Sequence, residues 1–340
     1  MQAFHTQGSA RTRGRQQAEA CGEKALGIYE NALRVLSGGP AAQQRESALR
    51  WLEQAARVLP DCVKEASGVA EGLGIPLADY ARAIFSWRYS NFMPACSTFG
   101  LRDQEGRIWI GKTDDVLESE IGMNVMQKAS PAEGYDHIKF HPAGTTFVSS
   151  GMNCEGLIVA LTGVPGPAAE VGGVPALWLV DDLLCHCATV EEGLDRARSV
   201  PINVYGASLL LADKQGNWTL IEKNFFGTVE LPPHDGSWHA HTNHLLDPGL
   251  RGQSPQPSED LAKNSHTRYL TLLALLSQAD GPPEYGEKIL QYEGELGTIA
   301  QGPGAHLQTD YAILAEPSQG LLRLWPGCPR QVDSIVISKI

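Results

Sequence analysis

The sequence predicts an α+β protein in which antiparallel sheets carry helices on their outer faces. Residues before about position 95 place apolar side chains at helical spacing, whereas later residues form short strand-like runs separated by turns. In the second part the order is strands, helices and strands again, which differs from the strict alternation of a parallel sheet. The chain also contains 36 Gly and 21 Pro, somewhat above average, which is typical of a protein with many turns.

The N-terminal part predicts a series of helices. The apolar spacing covers residues 13–37, 42–58, 62–72 and 76–87. The glycines and proline of 38–40 end the first of these helices, because neither residue type continues a helix. Pro76 opens the last one, since proline is favoured in the first helical turn.

The C-terminal part predicts strands at both ends with helices between them. Predicted strands are 107–110, 121–127, 144–150, 156–162, 207–212, 217–222, 309–315, 320–325 and 333–338. Predicted helices are 174–187, 190–199, 259–277 and 284–292. The turns DQEG (103–106) and DKQG (213–216) predict hairpins, and Thr189 with Glu192 has the spacing of a capping box. The segment 249–258, GLRGQSPQPS, predicts a mobile loop.

Composition and charge restrict the class of partner. Apolar residues make up 42% of the chain and charged residues 19%, as in globular proteins that bury a large core. The formal net charge is −12, and an acidic surface repels phosphate backbones, so we expect no nucleic-acid partner. The basic cluster Arg11, Arg13 and Arg15 is interpreted as the solvated start of a helix.

Cysteine usage and hydropathy predict a cytoplasmic protein. Seven cysteines without framework spacing are typical of a reducing compartment rather than of a disulfide scaffold. The N-terminal segment has no apolar run typical of a secretory signal. No stretch of about 18 apolar residues is present, so we expect no membrane association.

Cys96 lies where helical sequence changes to strand sequence, in the segment MPACST (93–98). Pro94 disfavours helix immediately before it. Nineteen residues later, beyond one predicted hairpin, comes GKTDD (111–115). Because a hairpin returns the end of its second strand to the start of its first, Lys112 and Asp115 are expected near Cys96. Asp114, one residue earlier, could supply the carboxylate near Cys96 instead of Asp115.

The motifs around Cys96 resemble those of penicillin-acyltransferase and choloylglycine-hydrolase-like N-terminal-nucleophile enzymes. In that family a cysteine begins the catalytic chain, and a Gly-Arg/Gln-x-x-Asp motif follows about nineteen residues later. Other segments that resemble family motifs, in the same order along nearly the whole chain, are GSARTRGRQ (8–16), GMNCEGL (151–157), LLADKQG (210–216) through Glu222, and HTNH (241–244).

The resemblance implies an αββα four-layer sandwich of antiparallel sheets, formed by a chain that cleaves itself between Ala95 and Cys96. Residues 1–95 would be a helical α chain that stays bound as a partner, and residues 96–340 would be the catalytic β chain. Neither a cofactor nor a metal is implied. The possibility of further association between copies stays open.

The resemblance also implies roles for individual residues. Cys96 would be the nucleophile, and its freed α-amine, with a typical pKa of about 7.7–8.0, would take the thiol proton. Asp115 would orient that amine, and Lys112 would favour the thiolate. Asn243 would donate its amide to the tetrahedral oxyanion.

Three positions depart from the family pattern. Lys112 stands where relatives carry Arg or Gln, and lysine cannot make the forked contacts of arginine. The segment LTG (161–163) lacks the second oxyanion Asn, so the Thr162 hydroxyl or a backbone N–H would replace it. Ala95 stands where many relatives have Gly, which restricts the backbone conformations open to an acyl shift and predicts slow cleavage.

Alternative interpretations of these residues remain. A papain-like site would pair Cys96 with His141, His239 or His244, although no papain-type signature surrounds the cysteine. A zinc site could use His234, His239, His241 and His244, or Cys185-His186-Cys187, although alternation along a strand and helical spacing separate these side chains.

The reaction predicted is hydrolysis of a linear amide bond in a small acylated amine or amino acid through a Cys96 thioester. Transfer of the acyl group to an amine acceptor uses the same intermediate. An uncleaved, non-catalytic homologue is the alternative from another class. The sequence leaves the acyl group and the amine of the substrate open.

Overall fold

A computed structural model describes residues 1–36, 41–90, 95–166, 173–203, 205–278 and 284–338, with the backbone alone for residues 35, 85–90 and 338. The helices in chain order are α1 (Ala10–Val35), α2 (Ala41–Ala55), α3 (Pro60–Gly72), α4 (Leu77–Ser90), α5 (Ala176–His186), α6 (Val190–Ser199), α7 (Pro248–Gly252), α8 (Glu259–Leu276) and α9 (Glu284–Leu290). No helix in these ranges is long and apolar enough to cross a bilayer.

The strands form two main sheets and a short ribbon. In chain order they are β1 (Gln2–Gly8), β2 (Ala95–Arg102), β3 (Ile108–Leu117), β4 (Asn124–Pro131), β5 (His137–Pro142), β6 (Ser150–Asn153), β7 (Ile158–Val164), β8 (Gly206–Ala212), β9 (Trp218–Asn224), β10 (Gly227–Leu231), β11 (Trp238–His241), β12 (Glu293–Gly294), β13 (Gly297–Thr298), β14 (Leu307–Glu316), β15 (Leu321–Trp325) and β16 (Ile335–Ser338).

The first sheet has the order β1-β4-β5-β6-β7-β8-β9-β10, and the second has the order β11-β2-β3-β14-β15-β16. Strands β12 and β13 pair only with each other among the described residues. Neighbouring strands in both sheets are antiparallel, apart from β1 and β4, which are parallel.

Alternation along the strands produces four layers. Leu210 packs into the core between the two sheets, with Ile110 of the second sheet. Its neighbours Leu209 and Leu211 point the other way, into the core that α1, α3, α4, α5 and α6 form on the first sheet. On the second sheet the outer face packs against α8 and α9. The predicted αββα sandwich is therefore the architecture of the chain.

Two hairpin turns that the sequence predicted share one local design. Asp103 accepts hydrogen bonds from the backbone N–H of residues 105 and 107, and Asp213 accepts from residues 215 and 217 in the same way. Gly106 and Gly216 both have φ 82°, which a side chain would disfavour. These turns fix the register of β2 with β3 and of β8 with β9.

The apolar pattern predicted only helices in the N-terminal segment, but the structure also contains a strand there. Residues 2–8 form β1, which adds an edge strand to the first sheet. The interpretation of Arg13 as solvated is also wrong: it is buried, and its Nη2 lies 2.8 Å from Oε2 of Glu65. The cause is the close contact of α1 with α3, where a Cβ on Gly14 would lie 2.0 Å from the carbonyl oxygen of Glu65.

Two further predictions differ from the structure. Strand 144–150 is wrong, because Thr145 instead donates its backbone N–H and hydroxyl to the carbonyl of Pro142 in a turn after β5. The segment 249–258, predicted as a loop, contains most of α7, which Asp247 caps by accepting from the N–H of Leu250. The predicted helix end at 38–40 and Pro94 lie outside the described residues.

Candidate active site

The β2–β3 hairpin places Cys96 at the start of its first strand. Cys96 pairs with Asp114, Ala95 with Asp115, and Thr98 with Lys112. Residues that are directly paired in antiparallel strands point to the same face. Cys96, Lys112 and Asp114 therefore share the face between the two sheets, whereas Asp115 points to the side on which α8 packs. The hairpin expected from the sequence is confirmed.

Asn243 and Arg268 meet at the backbone of Cys96. The Cys96 N–H donates to Oδ1 of Asn243 at 2.8 Å, and Nη2 of Arg268 donates to the same oxygen at 2.8 Å. Nη1 of Arg268 donates to the Cys96 carbonyl at 2.5 Å and to the Ser97 hydroxyl at 3.0 Å. Three segments far apart in the chain are thus joined at one residue.

Arg268 is a residue of this group that the sequence interpretation missed. It lies on α8, whose buried residues follow helical spacing: Ser265, Arg268, Thr271, Leu272 and Leu276. An arginine on the buried face of an amphipathic helix is rarely left unpaired. That position was the available signal, but only the fold shows that Cys96 is its partner.

Asn243 is held by several bonds at once. Its backbone N–H donates to the Ser265 hydroxyl at 2.8 Å, and its Nδ2 donates to the carbonyl of Gly163 at 2.9 Å. The amide nitrogen of Asn243 carries two hydrogens. One of them donates to Gly163, and the other can donate to another acceptor. The oxyanion role expected for Asn243 stays a prediction.

Lys112 and Asp115 are buried on opposite faces of β3. Nζ of Lys112 donates to the carbonyl of Leu161 at 2.7 Å and lies 3.3 Å from Oδ2 of Asp114. Asp115 accepts a hydrogen bond of 2.5 Å from the Thr309 hydroxyl of β14. Asp114 therefore shares the face of the Cys96 side chain and is paired to the lysine, whereas Asp115 lies on the other face, opposite Ala95.

Burial dominates the electrostatics of Cys96. It raises the pKa of the Cys96 thiol; Lys112 and Arg268 oppose this shift, and both aspartates add to it. Burial also raises the pKa of Asp115 to about 7, against Arg268 and the bond from Thr309. In the unbroken chain the thiol is held in its neutral form, so a thiolate requires a proton acceptor beside it.

Thr162 lies on β7 and its hydroxyl is 2.9 Å from Nδ1 of His241. The partner of its side chain is therefore this histidine, not Cys96 or Asn243. The carbonyls on either side of it do contact the site, because Leu161 binds Lys112 and Gly163 binds Asn243. Thr162 is thus in the wall of the site, while the identity of the second oxyanion donor stays open.

The histidines of the papain-like alternative have other partners. His141 bonds Gln127 at 2.8 Å, and Nδ1 of His244 bonds the Ser265 hydroxyl at 2.8 Å. His239 packs edge-on against Trp218. Burial lowers the pKa of His141 and of His239 to about 4, and that of His244 to about 3. Each ring is held neutral, and none of these contacts involves Cys96.

Within the described ranges, no group of three or more His, Cys, Asp and Glu side chains is arranged to hold a metal ion. Residues 238–241 form the strand β11, as expected. His239 and His241 pair with Gly100 and Thr98 and lie on one face, so alternation does not separate these two rings. They have different partners instead, Trp218 for His239 and Glu222 for His241.

The cavities of the described residues include one that reaches the residue paired with Cys96. It is a narrow cleft lined by Asp114, Val116, Glu120, Met123, Asn124, Pro142 and Ser149. A larger cavity of about 770 Å³ lies between α1, α3, α5 and α6, on the outer side of the first sheet. The cleft at Asp114 is the relevant one for chemistry at Cys96, because Asp114 pairs with Cys96 across the hairpin.

Comparison with known proteins gives a family match and similar solved structures. The family described as acyl-coenzyme A:6-aminopenicillanic acid acyl-transferase matches residues 101–296, more than half of the 340 residues. The matched segment includes Lys112, Asp115, Thr162 and Asn243, while Cys96 lies just before it. No curated protein matches the sequence.

Two of the solved structures that resemble this chain are hydrolases by name. A variant of conjugated bile acid hydrolase from Clostridium perfringens shares 12% identity at a TM-score of 0.45, over 71% of this chain and 92% of that chain. An ortholog of N-acylethanolamine-hydrolyzing acid amidase from Caenorhabditis elegans shares 14% identity at a TM-score of 0.46, over 71% of this chain and 100% of that chain.

Proposed function

Because the chain belongs to the acyl-coenzyme A:6-aminopenicillanic acid acyl-transferase family, we propose that it is an N-terminal-nucleophile cysteine amidase. The observation that carries this proposal is the joining of Asn243 and Arg268 at the backbone of Cys96. A structural cysteine needs no such arrangement, whereas a nucleophile needs a fixed backbone and nearby donors.

Maturation is the first proposed step. The Cys96 thiol adds to the Ala95 carbonyl, the peptide nitrogen leaves as the amine of Cys96, and water hydrolyses the resulting thioester. The products are an Ala95 carboxylate and a chain that begins at Cys96, of 245 residues by subtraction of 95 from 340. Arg268 can stabilise the strand during this step because it donates to the carbonyl of Cys96 at 2.5 Å.

The mature site then contains its own base. In the unbroken chain the Cys96 nitrogen is an amide that donates to Asn243; after cleavage it is an amine in the same place. This amine removes the proton of the thiol, which the pKa shift of the buried cysteine makes necessary. Asp115 then orients the ammonium, and Lys112 favours the thiolate.

Hydrolysis of the substrate amide then follows in two steps. The thiolate attacks the substrate carbonyl, Asn243 donates to the oxyanion, and the leaving amine takes its proton from the Cys96 ammonium. Water then loses a proton to the Cys96 amine and attacks the thioester. The carboxylic acid is released, and the Cys96 ammonium returns its proton to the sulfur to regenerate the thiol. One oxyanion donor is typically worth about 10²–10³ in rate.

Transfer of the acyl group to an amine is the second candidate, which the description of the matched family as an acyl-transferase favours. The two reactions share the thioester and differ in how well the site excludes water. A matured preparation given a fixed acyl-amide and rising concentrations of a second amine distinguishes them. A hydrolase keeps releasing free acid, whereas an acyltransferase converts the same intermediate into the new amide.

Mass spectrometry of the purified protein tests the maturation. We expect fragments that begin at Met1 and at Cys96, and we expect Cys96→Ala to remain whole and inactive. Cys96→Ser should cleave slowly, because a hydroxyl is a weaker nucleophile than a thiol at neutral pH. An intact wild-type chain would favour a non-catalytic homologue, and a fully active Cys96→Ala would exclude Cys96 as the nucleophile.

A thiol-directed acylating probe supplies the matched control. Cys154 is exposed, so it can react with such a probe without any catalytic role. In a Cys154→Ala protein, labelling should persist at Cys96 and disappear when Cys96→Ala is added. A library of acyl-amides tested on the matured protein would then narrow the substrate class.

A further inference from the structure

Three side chains form a buried hydrogen-bonded chain between the two sheets. Glu222 of β9, His241 of β11 and Thr162 of β7 are each fully shielded from solvent, at 0% exposure. Nε2 of His241 lies 2.7 Å from Oε1 of Glu222. Nδ1 of the same ring lies 2.9 Å from the Thr162 hydroxyl and 2.7 Å from the carbonyl of Thr242.

The hydrogen-bond partners of the Glu222 carboxylate and of the His241 ring indicate which of their atoms donate and which accept. Oε1 of Glu222 also accepts from the N–H of Leu246 at 2.6 Å, and Oε2 accepts from the N–H of Asp247 at 2.8 Å. The Glu222 carboxylate thus accepts two backbone hydrogen bonds, which are of the kind that stabilise an ionised carboxylate. The Thr242 carbonyl can only accept a hydrogen bond. Both nitrogens of the His241 ring therefore face an acceptor, Nε2 the Glu222 carboxylate and Nδ1 the Thr242 carbonyl.

This pair joins the two backbone segments that hold the proposed catalytic side chains. Glu222 binds the ring of His241 on one side of Asn243 and the N–H groups of Leu246 and Asp247 on the other. His241 reaches across to Thr162. The carbonyls next to Thr162 bind Lys112 and Asn243, as described above.

We propose that Glu222 and His241 are positioning residues, a buried carboxylate–imidazolium pair that fixes Asn243 and Thr162 relative to Cys96. The proposal rests on the proposed function for its catalytic consequence. If the histidine donates to Thr162, the threonine hydroxyl keeps its own hydrogen for another acceptor, which is the property that a second oxyanion donor requires.

A merely structural pair would behave differently. Removing one partner of a buried pair lowers stability in either case, because it leaves an uncompensated charge. Only a positioning pair also lowers kcat while KM is preserved, since a small misplacement of the reacting groups costs rate rather than binding.

Nitrogen NMR of the wild-type protein tests the charge state without any change to the pair. In protein labelled with ¹⁵N-histidine, the signals of the His241 ring are those that disappear in His241→Gln. We expect these signals to show a proton on both ring nitrogens at neutral pH. A ring with one bare nitrogen would overturn the proposal.

Steady-state kinetics tests the positioning. Glu222→Gln should lower kcat by about 10-fold to 10²-fold with KM within about threefold. The matched control is Glu230→Gln on the adjacent strand β10, a half-exposed carboxylate, which should keep both constants. In the double variant Glu222→Gln/His241→Gln a neutral amide pair replaces the ions, so the loss should not exceed that of Glu222→Gln alone.

The outcomes separate this proposal from the proposed function. Unchanged kcat in Glu222→Gln, or losses that multiply in the double variant, would refute the positioning role. If the wild-type protein shows no turnover that depends on Cys96, the proposed function fails instead. In that case the NMR resonance of the Asn243 side-chain amide tests the positioning role. This resonance should shift in Glu222→Gln and stay unchanged in Glu230→Gln.

Discussion

Raising the pH from about 4 to about 7 should destabilise the unbroken chain, because Asp115 must then ionise where it is buried. Its pKa is about 7 in the folded chain, against an ordinary value of 3.8. The folded state therefore holds this proton more tightly than the unfolded state does. The resulting stabilisation is complete below about pH 4 and is lost as the pH rises to about 7.

The structure sets the size of the effect. A difference of about three pKa units, at about 1.4 kcal/mol each, corresponds to roughly 4 kcal/mol of unfolding free energy. Burial is the main cause, and Arg268 and the Thr309 hydroxyl already oppose it. The buried site thus makes the carboxylate costly in spite of a neighbouring cation.

The assay is urea unfolding at about pH 4 and about pH 8 in the Cys96→Ala background, in which the chain stays whole and no new ammonium forms beside Asp115. Adding Asp115→Asn removes the titrating group and keeps an acceptor for Thr309. The parent should lose about 4 kcal/mol more than this variant between the two pH values. Asp333→Asn, at an exposed position, should leave the loss unchanged. Equal losses in the parent and the Asp115→Asn variant would refute the reasoning.

Two further changes test buried charges. Arg268→Met should lower the unfolding free energy by about 3–5 kcal/mol, because the buried Cys96 carbonyl and Asn243 Oδ1 lose a charged donor. Arg268→Lys should lose less, since it keeps the charge without the fork; equal stability of all three proteins in urea would contradict this. Lys139→Met should cost about 3–5 kcal/mol, because Lys139 lies 2.8 Å from Glu65 and 2.9 Å from Asp181. Calorimetry at neutral pH that shows an unchanged unfolding temperature would exclude that ion pair network.

Local features of the fold were predictable because their signals are local. The helix Val190–Ser199 was predicted with its observed bounds, since Thr189 and Glu192 form the expected capping box. The two hairpin turns were predictable for the same reason, because one aspartate and one glycine define each of them. The β2–β3 hairpin then brought Asp114 and Asp115 beside Cys96 with no contribution from distant residues.

Features that depend on distant partners were not predictable from the pattern. Residues 2–8 become a strand only because β4 offers them an edge with which to pair. The pair of Glu222 with His241 joins residues of different sheets, and neither side chain carries a local mark of this partner.

From the sequence alone, the chain's alternation and turn residues determined that it forms antiparallel sheets under helices, and its ordered motifs pointed to Cys96. The tertiary structure decided which side chains surround that cysteine. Arg268 is 172 positions away along the chain and Asn243 is 147 positions away. Periodicity reports which face of an element is buried, but the partner that a buried polar group finds depends on how the layers pack.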